Sequence, residues 1–491
     1  MPHSDFDLVA AARHEMLERG FHPDFPAEVS AQAAALPEDP PSASDGVRDL
    51  RSLLWSSIDN DTSRDLDQIE VAEAAGDGIR IRVAIADVDS RVPCGSPIDD
   101  YAADATTTVY AAVKTFPMLP ERLSTDVTSL NENVDRQAIV LEMVVAGDGS
   151  VSQPSVYRAL VHNRAQLTYN GVGPWLEGKA TAPAKVAESA DLQAQLRMQD
   201  IAAQQLRAAR ASQGALNFDR VEAEPILSDG HVRDVTARKA NRATKLIEDF
   251  MIASNQVMAG TLQKAGIASI RRVVKTPERW PRIVELAAGY GDKLPAEPNA
   301  GALNAFLMKR KQADPVHYAD VSLSVLKLMG SGEYVMARPG DPDPGHFALA
   351  AHDYTHSTAP NRRFADLVTQ RLIKALLAKK EPPYSADQLD AIATHCTQRE
   401  DAARKVQRDM YKRISAVALA KHVGQTYPAV VTGVSQKGVF VRVLDPPVEG
   451  RVMRGEHGLD VGDRVHVKLL SVDPERGFID FGANGASSGR Q

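Results

Sequence analysis

Cysteine is nearly missing from this chain of 491 residues, in which only Cys94 and Cys396 occur. Two cysteines cannot build a disulfide framework or a four-thiolate zinc site. Long apolar runs are absent as well, and no charged-then-apolar segment opens the chain, so neither a membrane span nor a secretory leader is expected. Aromatic residues make up 5%, and positive charge is not in excess, the formal net charge being −7. Such a protein is not coated in basic surface, so a nucleic-acid partner would have to meet a concentrated cleft or an appended module. The length suffices for two to four domains. The expected location is the cytoplasm.

Residues 1–45 read as two short helices, near Phe6–Glu18 and Ala27–Leu36, ahead of the breaker run Pro37 to Ser42. They form a small helical appendage, either a helix-turn-helix or a plain docking arm. From 46 to 422 strands and helices mix without a regular βαβ period, which gives an α+β class. Helical periodicity marks Asp191–Gln213, Asn241–Lys264 and Arg362–Leu377. Five short strand-like runs follow: Ala429–Val434, Val439–Val443, Arg451–Met453, Arg464–Leu469 and Gly477–Phe481. Separated by glycine turns, they make residues 423–483 an OB-type barrel. The Gly/Ser-rich tail, 484–491, reads as disordered.

The chain's most informative stretch runs from Ile58 to Glu70. It packs in Asp59, Asp61, Asp65, Asp67 and Glu70, just ahead of the strand-like run Ile79–Asp87. Carboxylates this close repel one another, and a hard divalent cation is the usual remedy. The run therefore reads as the metal site of a phosphodiester-cleaving enzyme. Two other readings stand beside it. Oxygen-bearing residues from Asp59 to Glu70 approach the spacing of an EF-hand calcium loop, although Arg64 occupies the glycine position and the flanks look like strands. A solvated acidic turn is the other.

A second motif spans Tyr354 to Asp366. Thr358 suits a helix N-cap and Pro360 a first turn, with Phe364, Leu367, Val368 and Leu372 forming the apolar face. Arg362 and Arg363 then carry the wrong sign for the helix dipole. A bound phosphate would reverse that penalty, because amide N–H groups and guanidinium forks converge on it. A salt bridge to Asp366 or to a neighbouring loop is the plainer reading of either arginine.

Several phrases follow one another in order: Ile58 to Asp67, Val83 to Val88, Phe116 to Pro120, Leu123-Ser124, Ser129-Leu130, Ile247 to Asn255, and His346 to Asp366. Together they resemble the catalytic (RNB) domain of the ribonuclease II family of exoribonucleases. The likeness covers roughly residues 46–422, and residues 423–483 lie where that family carries an RNA-binding barrel.

The resemblance implies hydrolytic 3′-to-5′ degradation of single-stranded RNA to nucleoside 5′-monophosphates with Mg2+, one ion or two. Asp67 matches the aspartate most critical for catalysis, Asp59 and Asp65 its metal-ligating companions, and Arg362, with Arg363 beside it, the phosphate-gripping arginine. Tyr110 matches an aromatic that clamps terminal bases, Tyr169 and Glu248 match ribose contacts, and Phe218 an outer stacking ring. The other reading of Tyr110 and Phe218 is as ordinary core residues. Gln407 stands where a glutamate seats the last nucleotide, and Gln68 where a further aspartate is normal. The loss of charge at Gln68 implies weaker metal binding or a demand for Mn2+, with Asp61 as a substitute ligand. A catalytically silent RNA-binding regulator is the alternative. The expected partners are single-stranded RNA and, if a short front leaves the channel mouth open, RNA with a 3′ overhang. No membrane and no DNA substrate are expected, and the chain is expected to be a monomer.

Overall fold

The computed structural model describes residues 6–37, 46–218, 221–228, 231–315, 318–342, 345–436 and 438–484. Most of the breaker run after Pro37 and nearly all of the Gly/Ser tail lie outside these residues. At the centre runs the strand Gly78–Ala86, in which Ile81, Val83, Ala84, Ile85 and Ala86 are fully buried. It pairs antiparallel with Gln68–Ala75 on one side and Asp135–Val145 on the other. The long strand Val151–Thr168 first pairs antiparallel with Asp135–Val145. From Asn163 it runs parallel to Trp55–Asp59, which in turn meets Gln68–Ala75. The sheet thereby closes into a ring, bent at irregularities near Trp55/Ser56 and Glu142/Val144. Asp59 ends its strand and Gln68 begins the next, so both sit on one rim.

Helices Ala190–Ser212 and Arg242–Lys264, capped by the side chains of Ser189 and Asn241, cover the sheet. A separate apolar cluster forms where helices Trp280–Gly289, Ala300–Ala313 and Tyr318–Met329 meet. The 34-residue helix Ala386–Leu419, closed at its start by a Ser385/Gln388 capping box, leads to a closed five-stranded barrel. The barrel's strands are Thr426–Ser435, Gly438–Val443, Glu449–Arg454, Arg464–Asp473 and Phe478–Asn484. Gly450 is required there, since a Cβ would stand 2.5 Å from the Ile479 carbonyl oxygen. The mixed content is the α+β class expected.

The two N-terminal helices, Leu8–Glu18 and Ala27–Ala34, each bury an apolar face in the body. Leu8, Ala12, Met16 and Phe21 join Val406, Met410 and Ile414 of the long helix, while Val29 and Ala33 join the main core. Each fully buried side chain of Leu or Met size is worth about 1.5–3 kcal/mol, which holds the first helix in place.

Candidate active site

The acidic run is a loop between two strands, Trp55–Asp59 and Gln68–Ala75. An EF-hand needs a helix on each side, so the calcium-loop reading does not survive. The loop is stapled from beneath. Leu66, 1% exposed, donates its N–H to Ser129 Oγ at 2.9 Å and accepts from the Leu130 N–H at 2.9 Å. The Asp67 carbonyl accepts from the Ala86 N–H at 2.9 Å. Asp59 Oδ1 accepts from the Asn60 N–H and Ser63 Oγ at 2.7 and 2.8 Å. Asp61 accepts from Asn170 Nδ2 at 2.5 Å.

Asp67 is 2% exposed. One carboxylate oxygen accepts from the Asn361 N–H at 3.0 Å, and the other from Arg362 Nε at 3.3 Å. Burial pushes its carboxyl up to about 7; Arg362 opposes the shift and the charge of Asp65 adds to it. Burial also raises Asp65, with Arg362 opposing and Asp59 adding. Tyr110 OH donates to Asp65 Oδ2 at 3.3 Å. The carboxylates, Arg362 and the Tyr110 hydroxyl thus share one electrostatic neighbourhood.

The Arg362 side differs from the expected helix. The helix begins at Phe364, not near Thr358, and Arg363 is its N-cap residue. The Arg362 and Arg363 N–H groups turn back to the Ala359 carbonyl at 3.2 and 3.0 Å, while the rest of this backbone is engaged elsewhere. Asn361 N–H serves Asp67, Thr108 N–H donates to the Arg362 carbonyl at 3.0 Å, and Phe364 N–H donates to the Thr106 carbonyl at 2.8 Å. Asp366, fully buried, accepts from the Ala359 N–H at 2.8 Å. These tertiary partners take the Asn361 and Phe364 N–H groups and the Arg362 carbonyl, so the single i to i−4 bond from Arg363 to Ala359 does not extend into a helix over the Pro360 turn.

The two arginines separate. Arg362 is 43% exposed and faces Asp67, whereas Arg363 forms a two-pronged pair with Asp366 at 2.8 and 2.7 Å. Arg363 thereby follows the plainer salt-bridge reading, and its fork is engaged away from the acidic loop.

Tyr169 opens a helix directly after Thr168, the register partner of Asp59, so it stands on the same rim. Glu248 lies on the exposed face of Arg242–Lys264. Gln407 is half-buried on the long helix, beside the apolar cluster that takes in Val406. Phe218 packs against the helical cluster around Trp280 and Phe306. Gln68 is 8% exposed at the start of its strand.

Asn361 escaped the sequence reading; its backbone holds Asp67 and its side chain accepts from Thr128 Oγ1 at 2.6 Å. A polar residue between Pro360 and the arginines was the available signal. Glu70, counted in the acidic run, lies apart from the loop in the strand Gln68–Ala75: it is fully buried, and neither carboxylate oxygen has a hydrogen-bond partner among the described residues.

The donors on the rim are carboxylate and amide oxygens, the set that hard cations take. Among the described residues no three His, Cys, Asp or Glu side chains converge into a metal cage. Mg2+ ordinarily uses one or two carboxylates with waters and substrate phosphate, not an all-protein cage. The raised carboxyl of Asp67 records chiefly its burial, with the charge of Asp65 adding to it, a cost that a bound cation would offset. The residues fit the ion. No helix among the described residues is long and apolar enough to cross a membrane.

Comparison with known proteins yields two domain matches: the RNB domain over residues 47–379, and the RNase II-type exonuclease C-terminal S1 domain over 425–484. Ribonuclease R 1 of Lactococcus lactis is 30% identical over 494 residues, covering 93% of this chain and 59% of that protein. Ribonuclease R of Vibrio cholerae is 31% identical, with the same two coverages, 93% and 59%. The chain therefore spans about three fifths of the length of these relatives. The Mycoplasma genitalium RNase R, solved with ribose-methylated single-stranded RNA, superposes with a TM-score of 0.88 over 97% of this chain and 78% of that one. At 22% identity, that likeness speaks for the fold. With the catalytic-domain match extending over more than half of the residues, this chain belongs to the RNB-domain family.

Proposed function

We propose that this chain is a hydrolytic 3′-to-5′ exoribonuclease that degrades single-stranded RNA to nucleoside 5′-monophosphates. The observation that carries this reading is the meeting of buried Asp67 with exposed Arg362, beside Asp65 and Tyr110. The relatives named Ribonuclease R support it.

Asp59, Asp65 and Asp67, with Gln68 and Asp61 nearby, would hold one or two Mg2+ or Mn2+ ions. Such an ion would polarise the scissile phosphate and make its bound water more acidic. The protein's own part is positional. Arg362 has free edges of its guanidinium toward solvent and can donate to phosphate oxygens, offsetting charge that develops in the transition state. The Asn361 N–H fixes Asp67 so that one oxygen stays directed at the arginine side. Tyr110 offers a ring face that every base can stack on. Tyr169 and Glu248 are assigned to the ribose, where the 2′-hydroxyl distinguishes RNA from DNA. Phe218 is assigned to outer stacking and Gln407 to the last nucleotide. Residues 423–483 would bind RNA upstream of the cut. The enzyme acts as a monomer and takes RNA with a 3′ overhang as well as fully single-stranded RNA.

The test is 5′-labelled oligo(A) incubated with Mg2+, Mn2+ or Ca2+, for the wild type and for Asp67→Asn. A ladder shortening from the 3′ end is expected with Mg2+ or Mn2+. The variant should retain RNA binding and lose about three orders of magnitude in turnover, corresponding to ~4 kcal/mol of barrier. Equal turnover by both proteins would remove the assignment.

A further inference from the structure

We propose that the N-terminal helix Leu8–Glu18 is the positioning element for Tyr110, holding the hairpin that presents this ring beside the acidic loop. The proposal rests on the reading of Tyr110 as a base-stacking residue.

The hairpin is too small to hold itself. Val109–Tyr110 pairs with Thr115–Phe116, two residues on each side, and an isolated hairpin is marginal in water even when longer. Its turn includes Ala112 at φ 61°, a left-handed conformation that L residues rarely adopt. Support must come from packing. Strand side chains alternate between faces, and here the alternation is sharp. Val109 is 0% exposed and Phe116 4%, whereas Tyr110 between the two faces is 41% exposed and reaches Asp65.

The buried face belongs to one apolar cluster with three contributors. Val109, Ala111 and Phe116 come from the hairpin, and Leu8, Ala12, Met16 and Phe21 from the N-terminal segment. Ala403, Val406, Met410 and Ile414 come from the long helix. Polar ties fix the N-terminal segment onto that helix. Arg413 pairs with Glu15 at 2.8 Å, Arg19 with Asp409 at 3.0 Å, and Arg399 donates to the Gly20 carbonyl at 2.7 Å. The Asp24 carboxyl is held low chiefly by its hydrogen bond from Arg13 of the first helix, and Lys114 in the hairpin turn adds a smaller pull in the same direction. The first helix therefore completes the wedge beneath the stacking ring, and loosening it should let Tyr110 drift while the acidic loop stays stapled by Ser129.

The experiment uses the full chain carrying Asp67→Asn, bound with Mg2+ to oligo(A) ending in 3′-terminal 2-aminopurine, whose fluorescence is quenched on stacking. Tyr110→Ala should lose most of the quench contributed by the protein. Met16→Ala should lose a substantial part of it, and Met16→Leu should restore it. Glu15→Gln, which opens no cavity, should give a smaller loss in the same direction, covering the case in which Met16→Ala does not fold. In the Asp67-intact enzyme, Met16→Ala should raise KM for short oligonucleotides several-fold while kcat on long RNA stays within about twofold. A quench unchanged in both N-terminal variants, with Tyr110→Ala still losing it, overturns this proposal alone. An unchanged quench in Tyr110→Ala overturns the stacking role itself, and the positioning role with it.

Discussion

Arg362 Nε stands 3.3 Å from Asp67 Oδ2, joining two segments 295 positions apart in the chain. The neighbouring Asn361 N–H donates to the other oxygen of the same carboxylate. One turn of backbone therefore both fixes the central acid and brings a cation to face it. Removing the guanidinium leaves that backbone contact intact. Arg362→Ala is expected to bind RNA with little change in KM and to lose about 10²–10³-fold in kcat, the usual cost of one transition-state donor. Arg362→Lys should recover only part, since an ammonium lacks the planar fork. Single-turnover rates on oligo(A) measure both, and an Arg362→Ala rate near that of the wild type would contradict the assignment.

Arg363 should behave in the opposite way. Its partner Asp366 is fully buried, so Arg363→Ala leaves a carboxylate uncompensated. Breaking a buried pair in this manner costs about 3–5 kcal/mol, and Asp366 also accepts from the Ala359 N–H. Urea denaturation should show a large loss of stability for Arg363→Ala and a smaller one for Arg362→Ala, whose solvent-exposed guanidinium leaves Asp67 with the Asn361 N–H and free to take up a proton. Comparable stability losses in the two variants would mean that the arginines do not differ as their contacts indicate.

Much of this was legible from residues alone, and the rest was lost for identifiable reasons. The acidic run stood out because five carboxylates had a single arginine among them. The strand Gly78–Ala86 and the barrel strands were legible through composition and glycine spacing. Arg362 and Arg363, by contrast, are the same residue type side by side, and only packing shows that one meets Asp67 and the other Asp366. The late helix start at Phe364 depends on Thr106 and Thr108, more than 250 residues upstream, taking up local backbone groups. The helical reading of Phe6–Glu18 did not reveal that Met16, with Phe21 just beyond it, packs with the hairpin of Tyr110 and with the long helix.

Stability without metal should depend on pH through Asp67. Its folded carboxyl titrates at about 7, against the ordinary 3.8 when unfolded. Below pH 3.8 both states are protonated and the group contributes nothing. Between about 4 and 7 the unfolded chain ionises while the folded one holds its proton, so stability falls as pH rises. Above 7 the penalty is complete. Asp67→Asn, which carries no charge, should therefore be more stable than the wild type in EDTA at pH 8, by on the order of 2–4 kcal/mol. The two should converge near pH 4. Chemical denaturation across this range is the check, and a wild type as stable as the variant at pH 8 would show that Asp67 is not strained by burial.

Gln68 offers the final test, because it replaces charge without rearranging the rim. The residue opens the strand Gln68–Ala75 next to Asp67 and is 8% exposed. An amide oxygen can ligate a hard cation but lacks the full negative charge of a carboxylate. Gln68→Asp should therefore lower the Mg2+ concentration needed for half-maximal exonuclease activity, by several-fold. It should also narrow any advantage of Mn2+ over Mg2+, since the harder ion gains more from an added carboxylate. Added charge has a cost in apo protein, because a further carboxylate beside Asp65 and Asp67 repels both. The variant should melt earlier in EDTA and recover with Mg2+, as a ligand that binds only the folded state stabilises it by mass action. Paired metal titrations of activity and melting temperature separate the outcomes. A higher Mg2+ requirement in Gln68→Asp would mean that this side chain does not face the ion.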